Sequence, residues 1–200
     1  MPQEKWTAGQ AAFEDRMPPL AVDKMSEAQR IAAAELAAGP RKGVNGPFIP
    51  LIRSPELMDR LQKVGEYLRF QSSLEPRISE LVMLVVSREW TQRFEWAVHA
   101  PLGRKAGLQD EVIGALAEGR RPSAMRADEE IAYDFCEELL RTKGVSDTTY
   151  RRAAGAFGEN GVVDIVGVLG YFTTVSMVLN VAHTPPGAES GVGALSPFPL

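Results

Sequence analysis

Apolar residues recur at three- and four-residue intervals through most of this chain, the spacing of helices that bury one face. Leu57, Leu61, Val64 and Leu68 show it plainly, and Ser54-Pro55-Glu56 just before them is a strong start signal. Serine is an N-cap, proline suits the first helical position, and a carboxylate favours the positive end of the helix dipole. An earlier helix opens on Ser26-Glu27-Ala28-Gln29, a capping-box pattern, and runs through alanines to about Ala38, where Gly39-Pro40 stops it. Between the two, RKGVNGPFIPLIR (41–53) has two glycines and two prolines. It predicts a shaped loop lying against the body through Phe48, Ile49, Leu51 and Ile52.

After a turn at Ser72 and Ser73, Pro76 begins a richly apolar helix that reaches Trp90. Thr91 is placed to cap the next helix, Gln92 to Ala106, which Gly107 ends. Shorter helices are expected over Gln109–Glu118, Asp128–Arg141 and Asp147–Phe157, with Ile131, Phe135 and Leu139 on one face of the second. The stretch Val162 to about Val181 is rich in β-branched residues. Its length, its Gly167 and Gly170, and its lack of turn signals predict a buried helix rather than strands. Residues 1–25 and 184–200 lack this periodicity and are rich in proline, or in proline, glycine and serine, so both are expected as irregular arms around a domain at 26–183. The apolar end of the second arm, Leu195 to Leu200, is placed to dock on the body or on a neighbouring subunit. The pattern is that of an all-α, single-domain helical bundle.

Composition narrows the function. With 44% hydrophobic residues, 24% charged residues and net charge −4, the chain has no basic footprint for nucleic acid or an anionic membrane. No uninterrupted apolar run of about 18 residues predicts a membrane span. MPQEKWTAGQAAFEDR lacks the apolar centre of a signal peptide, so a cytoplasmic location is expected. The one cysteine, Cys136, agrees with a reducing compartment and excludes an internal disulfide. Beside Phe135 on an apolar helix face, it reads as a buried inert thiol.

Candidate chemistry gathers on two consecutive helices. Any imidazole chemistry must use His99 or His183. Glu95 and His99 stand four apart and share a helix face. Glu80 interrupts an apolar run, where a carboxylate is costly unless partnered. In an antiparallel hairpin turning at Trp90-Thr91, Glu80 and His99 reach similar heights at about 1.5 Å per residue. Two carboxylates around one imidazole would raise its pKa, as in general acid–base sites. The bland readings are a hydrogen-bonded structural histidine and a surface Glu–His pair. The same three groups could also hold a divalent ion, though with one nitrogen and no sulfur they make a poor ligand set. His183 fits either a cap at the negative end of the last helix or a pocket rim. Trp90 and Trp96 read as core or pocket wall, and the basic loop Gly119–Arg126 as a solvated turn.

The segment RISELVMLVVSREWTQRFEWAVHAPLGRKAGL resembles the carboxymuconolactone decarboxylase and alkylhydroperoxidase D-like family, and GPFIPLIRSPEL, the Asp128–Leu140 helix and GYFTTVSMVLN extend the resemblance over most of the chain. It implies an alkylhydroperoxidase D-like helical bundle assembled as trimers, hexamers or related rings, with sites at the hairpin that holds Glu80 and His99. The family's peroxidase branch pairs a glutamate with Cys-x-x-Cys-x-x-x-His and a histidine before the second cysteine. Glu80 and His99 match the outer positions, but Gln92 and Glu95 occupy the cysteine positions and Phe94 the inner histidine. Without two thiols there is no resolving disulfide, so that peroxidase chemistry is excluded. The decarboxylase branch lacks the cysteines and has a glutamate four residues before the histidine, although it tends to carry arginine where Gln92 stands. This likeness implies an acid–base enzyme without cofactor or metal, acting on a small carbonyl- or lactone-bearing acid. His99 would move the proton, Glu95 tune it and Glu80 complete the relay. Gln92, Arg93 and Tyr171 would be donors to enolate-like charge, and Tyr171 and Asn180 would line the pocket from the last helix. The rival expectation is an oligomeric small-molecule-binding protein that has lost catalysis.

Overall fold

The computed structural model describes residues 14–186 and Leu195, and among them there are eight α-helices and no strand. They are α1 Glu27–Ala38, α2 Phe48–Leu51, α3 Pro55–Phe70, α4 Pro76–Glu89, α5 Arg93–Ala106, α6 Asp110–Ala117, α7 Ala127–Thr142 and α8 Asp147–Ala182. Ser26 caps α1 with the full reciprocal box, accepting from the Gln29 amide while Gln29 accepts from the Ser26 amide. Ser54 precedes α3 in position only, because its side chain accepts no capping bond.

Helix α4 runs through the centre, packed on α5, α6, α7 and α8. That is why its sequence is apolar on nearly every side: Ile78, Leu81, Val82, Met83, Leu84, Val85 and Val86 are all at most 3% exposed. Arg77, at its start, is buried against Glu129 and Asp128 of α7, each at 2.5 Å. A second, smaller core lies under α1, α2 and α3, where Ala32, Leu36, Phe48, Leu51, Ile52 and Met58 meet. The loop at 41–53 therefore lies against the body as expected, but it folds into the single turn of α2.

Two expectations need correction. On α3 the buried residues are Met58, Gln62, Gly65 and Leu68, whereas Leu57 and Val64 are each 47% exposed. The helix carries apolar side chains around most of its circumference, so periodicity finds the helix and leaves its rotation open. The predicted helices at Asp147–Phe157 and Val162–Val181 are both present: they are the two limbs of α8, separated by a kink at the non-helical backbone of Gly158 (φ 68°). By length and composition α8 also qualifies as long and apolar enough to cross a membrane, contrary to the reading of the sequence, although 56% of that apolar window is buried in this bundle.

Asp164, the one acidic residue within that window, is buried and satisfied. It accepts from the Tyr67 and Ser72 hydroxyls, at 3.0 and 2.7 Å, and from the Ser73 amide at 3.1 Å, tying the α3–α4 turn to α8. Burial pushes its pKa up, but these hydrogen bonds outweigh that and hold it below the usual carboxylate range. The described part of the N-terminal arm is docked: the Arg16 amide donates to the Ala182 carbonyl at 2.8 Å, and Arg53 reaches the Pro18 carbonyl at 2.8 Å. Leu195 of the C-terminal arm is buried in the main core, and the remaining expectations for both arms fall outside the described residues.

Candidate active site

The α4–α5 hairpin is closed by a tight turn in which Thr91 is left-handed (φ 46°) and the Gln92 amide reaches back to the Ser87 carbonyl at 2.8 Å. The expected cap was Thr91, but Gln92 takes that position: its side-chain oxygen accepts from the Phe94 amide at 2.7 Å. The other end of the same amide group donates to Asn180 of α8 at 2.8 Å, and Asn180 donates to the Trp90 carbonyl at 3.0 Å. Gln92 and Asn180 thus pin the hairpin tip to α8.

With the hairpin so fixed, Glu80, Glu95 and His99 converge. His99 is 1% exposed, its Nδ1 lies 2.7 Å from Glu80 Oε2, and its Nε2 lies 3.4 Å from Glu95 Oε2. Its ring meets Phe172 of α8 edge to face, with centroids 5.0 Å apart, which leaves the imidazole little freedom to rotate. Burial pushes the His99 pKa down, but the hydrogen bonds and charges of Glu80 and then Glu95 outweigh it, and the net direction is up.

A cavity of about 290 Å³ opens on one side of this cluster. His99, Glu95, Phe94 and Val98 line it from α5, Tyr171 and Phe172 from α8, and Arg41 in the loop before α2 closes it with Phe48 at the start of α2. Glu80 is not among the lining residues, so it stands behind His99 while Glu95 faces the space. Gly46 (φ 55°) lets the loop pass over Phe94, because a Cβ there would come within 2.5 Å of the ring. Among the described residues no group of three His, Cys, Asp or Glu is arranged to hold a metal ion.

Of the expected substrate contacts, Tyr171 lines the cavity, buried at 6% exposure. Gln92, Arg93 and Asn180 do not: two are spent on the hairpin, and Arg93 lies exposed in the first turn of α5. His183 takes the left-handed capping position after α8, away from the cavity, and Trp96 is core. The thiol of Cys136 is fully buried among core residues, and that burial pushes its pKa up. In the basic loop, Arg120 pairs with Glu118, and Arg121 with Asp134 and Glu130. The lining residues that sequence reasoning missed, Arg41 and Arg69, lie on a loop and a polar helix face, where no periodicity marks a role, and Phe48, expected only to lie against the body, lines the cavity from α2.

The carboxymuconolactone decarboxylase family model matches residues 55–130, the stretch that contains the whole Glu80–Glu95–His99 cluster. No curated protein matches the chain. The solved structures that share its fold include two with informative names. One is a protein of unknown function from Agrobacterium tumefaciens, provisionally tied to AhpD and antioxidant defence, with 18% identity, a TM-score of 0.62 and coverage of 70% of this chain and 96% of that one. The other is an uncharacterized peroxidase-related protein from Ralstonia eutropha with an alkylhydroperoxidase AhpD core, at 15% identity, TM-score 0.72, covering 88% of this chain and 93% of that one. The carboxymuconolactone decarboxylase signature thus falls on the site-bearing helices, and the fold beyond them is shared with proteins built on an AhpD core.

Proposed function

We propose that this protein is an acid–base enzyme, a decarboxylase or other lyase, an isomerase or a lactone hydrolase, acting without a cofactor on a small organic acid that carries a carbonyl or lactone. The observation that supports it is a buried imidazole held between two carboxylates at the wall of a cavity. An imidazole whose pKa is raised holds its proton to higher pH, which suits it to serve as the acid. Glu80, at 2.7 Å from Nδ1, positions the ring, and Nε2 is the atom that exchanges a proton on the cavity side beside Glu95. In a decarboxylation the carbon–carboxylate bond breaks, carbon dioxide leaves, the electron pair moves onto the adjacent carbonyl as an enolate, and the Nε2 proton is delivered to carbon. Tyr171, on the same wall, is a donor for the enolate oxygen.

One fold relative is named peroxidase-related and the other is tied to antioxidant defence, yet this chain has one cysteine, buried in the core, and no thiol at either position of the peroxidase pair. Replacing His99 with Gln is expected to lower turnover of a reactive lactone or β-keto acid about 10²-fold. An unchanged rate removes His99 from the mechanism, and binding without turnover in the wild type favours the non-catalytic reading.

The proposal extends to assembly as a homo-oligomer. Val163, Val166, Met177 and Val181 are 68, 45, 40 and 58% exposed on the outer face of α8, and no charged side chain interrupts that row. A second copy of the same face is the partner that would cover it.

A further inference from the structure

We propose that Arg41 is the anion subsite of the cavity and takes a carboxylate of the small acid that stays on the product, not one lost as carbon dioxide. The inference rests on reading the cavity as a substrate site, and it names the group that anchors the molecule opposite its reacting carbon. Arg41 precedes the stretch matched by the family model, so the match says nothing of it.

The guanidinium of Arg41 is held firmly but incompletely. Its carbon lies 4.6 Å from the centroid of the Phe48 ring, and Nη2 reaches the Tyr171 hydroxyl at 3.5 Å. Nε is buried with no hydrogen-bond partner. Among the described residues no carboxylate lies within ion-pair distance of Arg41, and Glu95 and Glu66 act on it only at longer range. Arg69 lines the same cavity and repels it. Burial lowers the Arg41 pKa, yet a guanidinium stays protonated throughout the neutral range.

A desolvated cation with an unfilled donor, beside a second cation, is unfavourable until an anion arrives. A carboxylate repairs both defects, since its two oxygens match the guanidinium fork. Phosphate is disfavoured by size: about 290 Å³ sits at the lower end of ligand pockets and has to hold the rest of the substrate as well. The arrangement also depends on a particular absence. A Cβ at Gly65 would stand 2.3 Å from the Tyr171 hydroxyl and 2.6 Å from Arg41 Nη2, so only glycine on α3 leaves room for the pair. His99 and Glu95 line the same space, and a short acid anchored at Arg41 extends toward them.

The test uses the full chain and two matched probes, a γ-butyrolactone carboxylate and its methyl ester, titrated calorimetrically into wild type, Arg41→Gln, Gly65→Ala and His99→Gln. The wild type is expected to prefer the acid over the ester by roughly tenfold or more, as a charge-assisted bidentate contact provides. Arg41→Gln and Gly65→Ala lose that preference, and His99→Gln keeps it. Equal affinity for acid and ester, failure of both to bind, or a preference that survives Arg41→Gln overturns the proposal. Thermal melting separates a folding defect: removing an unpaired buried charge leaves the melting temperature of Arg41→Gln at or above that of the wild type, and a marked drop identifies a structural cation and overturns the subsite. Because His99→Gln is read by binding alone, failure of the acid–base mechanism and failure of the anion subsite give different results.

Discussion

At the residue scale the proposed chemistry depends on one ring held at both nitrogens. His99 has a folded pKa above its unfolded value, so its charge stabilises the protein fully below the unfolded pKa, and that contribution is lost as pH rises through the folded one. The melting temperature of the wild type should therefore fall across the neutral to alkaline range by more than that of His99→Gln; parallel curves would show that the imidazole carries no such linkage. Glu80 acts through His99, and its removal has a distinct signature. Glu80→Gln keeps a group at the 2.7 Å contact but discards the charge that raises the imidazole pKa. If protonated His99 is the acid, the alkaline limb of the rate profile moves to lower pH in Glu80→Gln, while a fall in rate at unchanged limbs assigns Glu80 a purely structural part. The three members of this cluster were legible in the sequence because helix rise and spacing fix where side chains on a hairpin meet. Arg41 was not, because its place depends on how a proline- and glycine-rich loop closes over α3. Gln92 and Asn180 line no part of the cavity for a related reason: neither a place beside the site in sequence nor a place on the last helix tells a polar residue that touches ligand from one that holds a turn.

At the element scale the hairpin that aims the site carries a cost. Thr91 is β-branched and left-handed, a conformation about 1–2 kcal/mol unfavourable for an ordinary residue and usually left to glycine or asparagine. Thr91→Asn relieves that strain without the added chain entropy of glycine. It should stabilise by about 1 kcal/mol, or roughly 2–4 °C in melting temperature for a domain of this size. A loss of stability would mean that the 3.3 Å contact from Arg88 to the Thr91 hydroxyl outweighs the strain. At the other end of α4, Arg77 is 7% exposed between Asp128 and Glu129. Arg77→Ala leaves Glu129 buried without its partner and should cost about 3–5 kcal/mol; chemical denaturation would measure it. Helix boundaries were predictable because caps and stops are local. The facing of α3 was not, because Leu57 and Val64 look as much like core as Met58 and Leu68 until the position of α8 is known.

At the scale of the whole molecule, the fate of α8 decides between three readings of the same apolar sequence. A strand assignment fails, since the segment is helical throughout. A lone span would expose apolar side chains all round, whereas Ile165, Val168, Phe172, Val175 and Leu179 face the core at no more than 2% exposure. What remains is the uncharged outer row at Val163, Val166, Met177 and Val181, on a chain whose other helices carry charges on their outer faces. If a second copy covers this row, one charge placed in it meets its own symmetry mate, and like charges across a two-fold axis repel. Val166→Glu lies on the exposed side, so it should leave the melting temperature of the isolated subunit nearly unchanged while reducing the assembled mass to that of one chain in sedimentation. A Val166→Glu protein that sediments like the wild type assigns the assembly, if there is one, to another face.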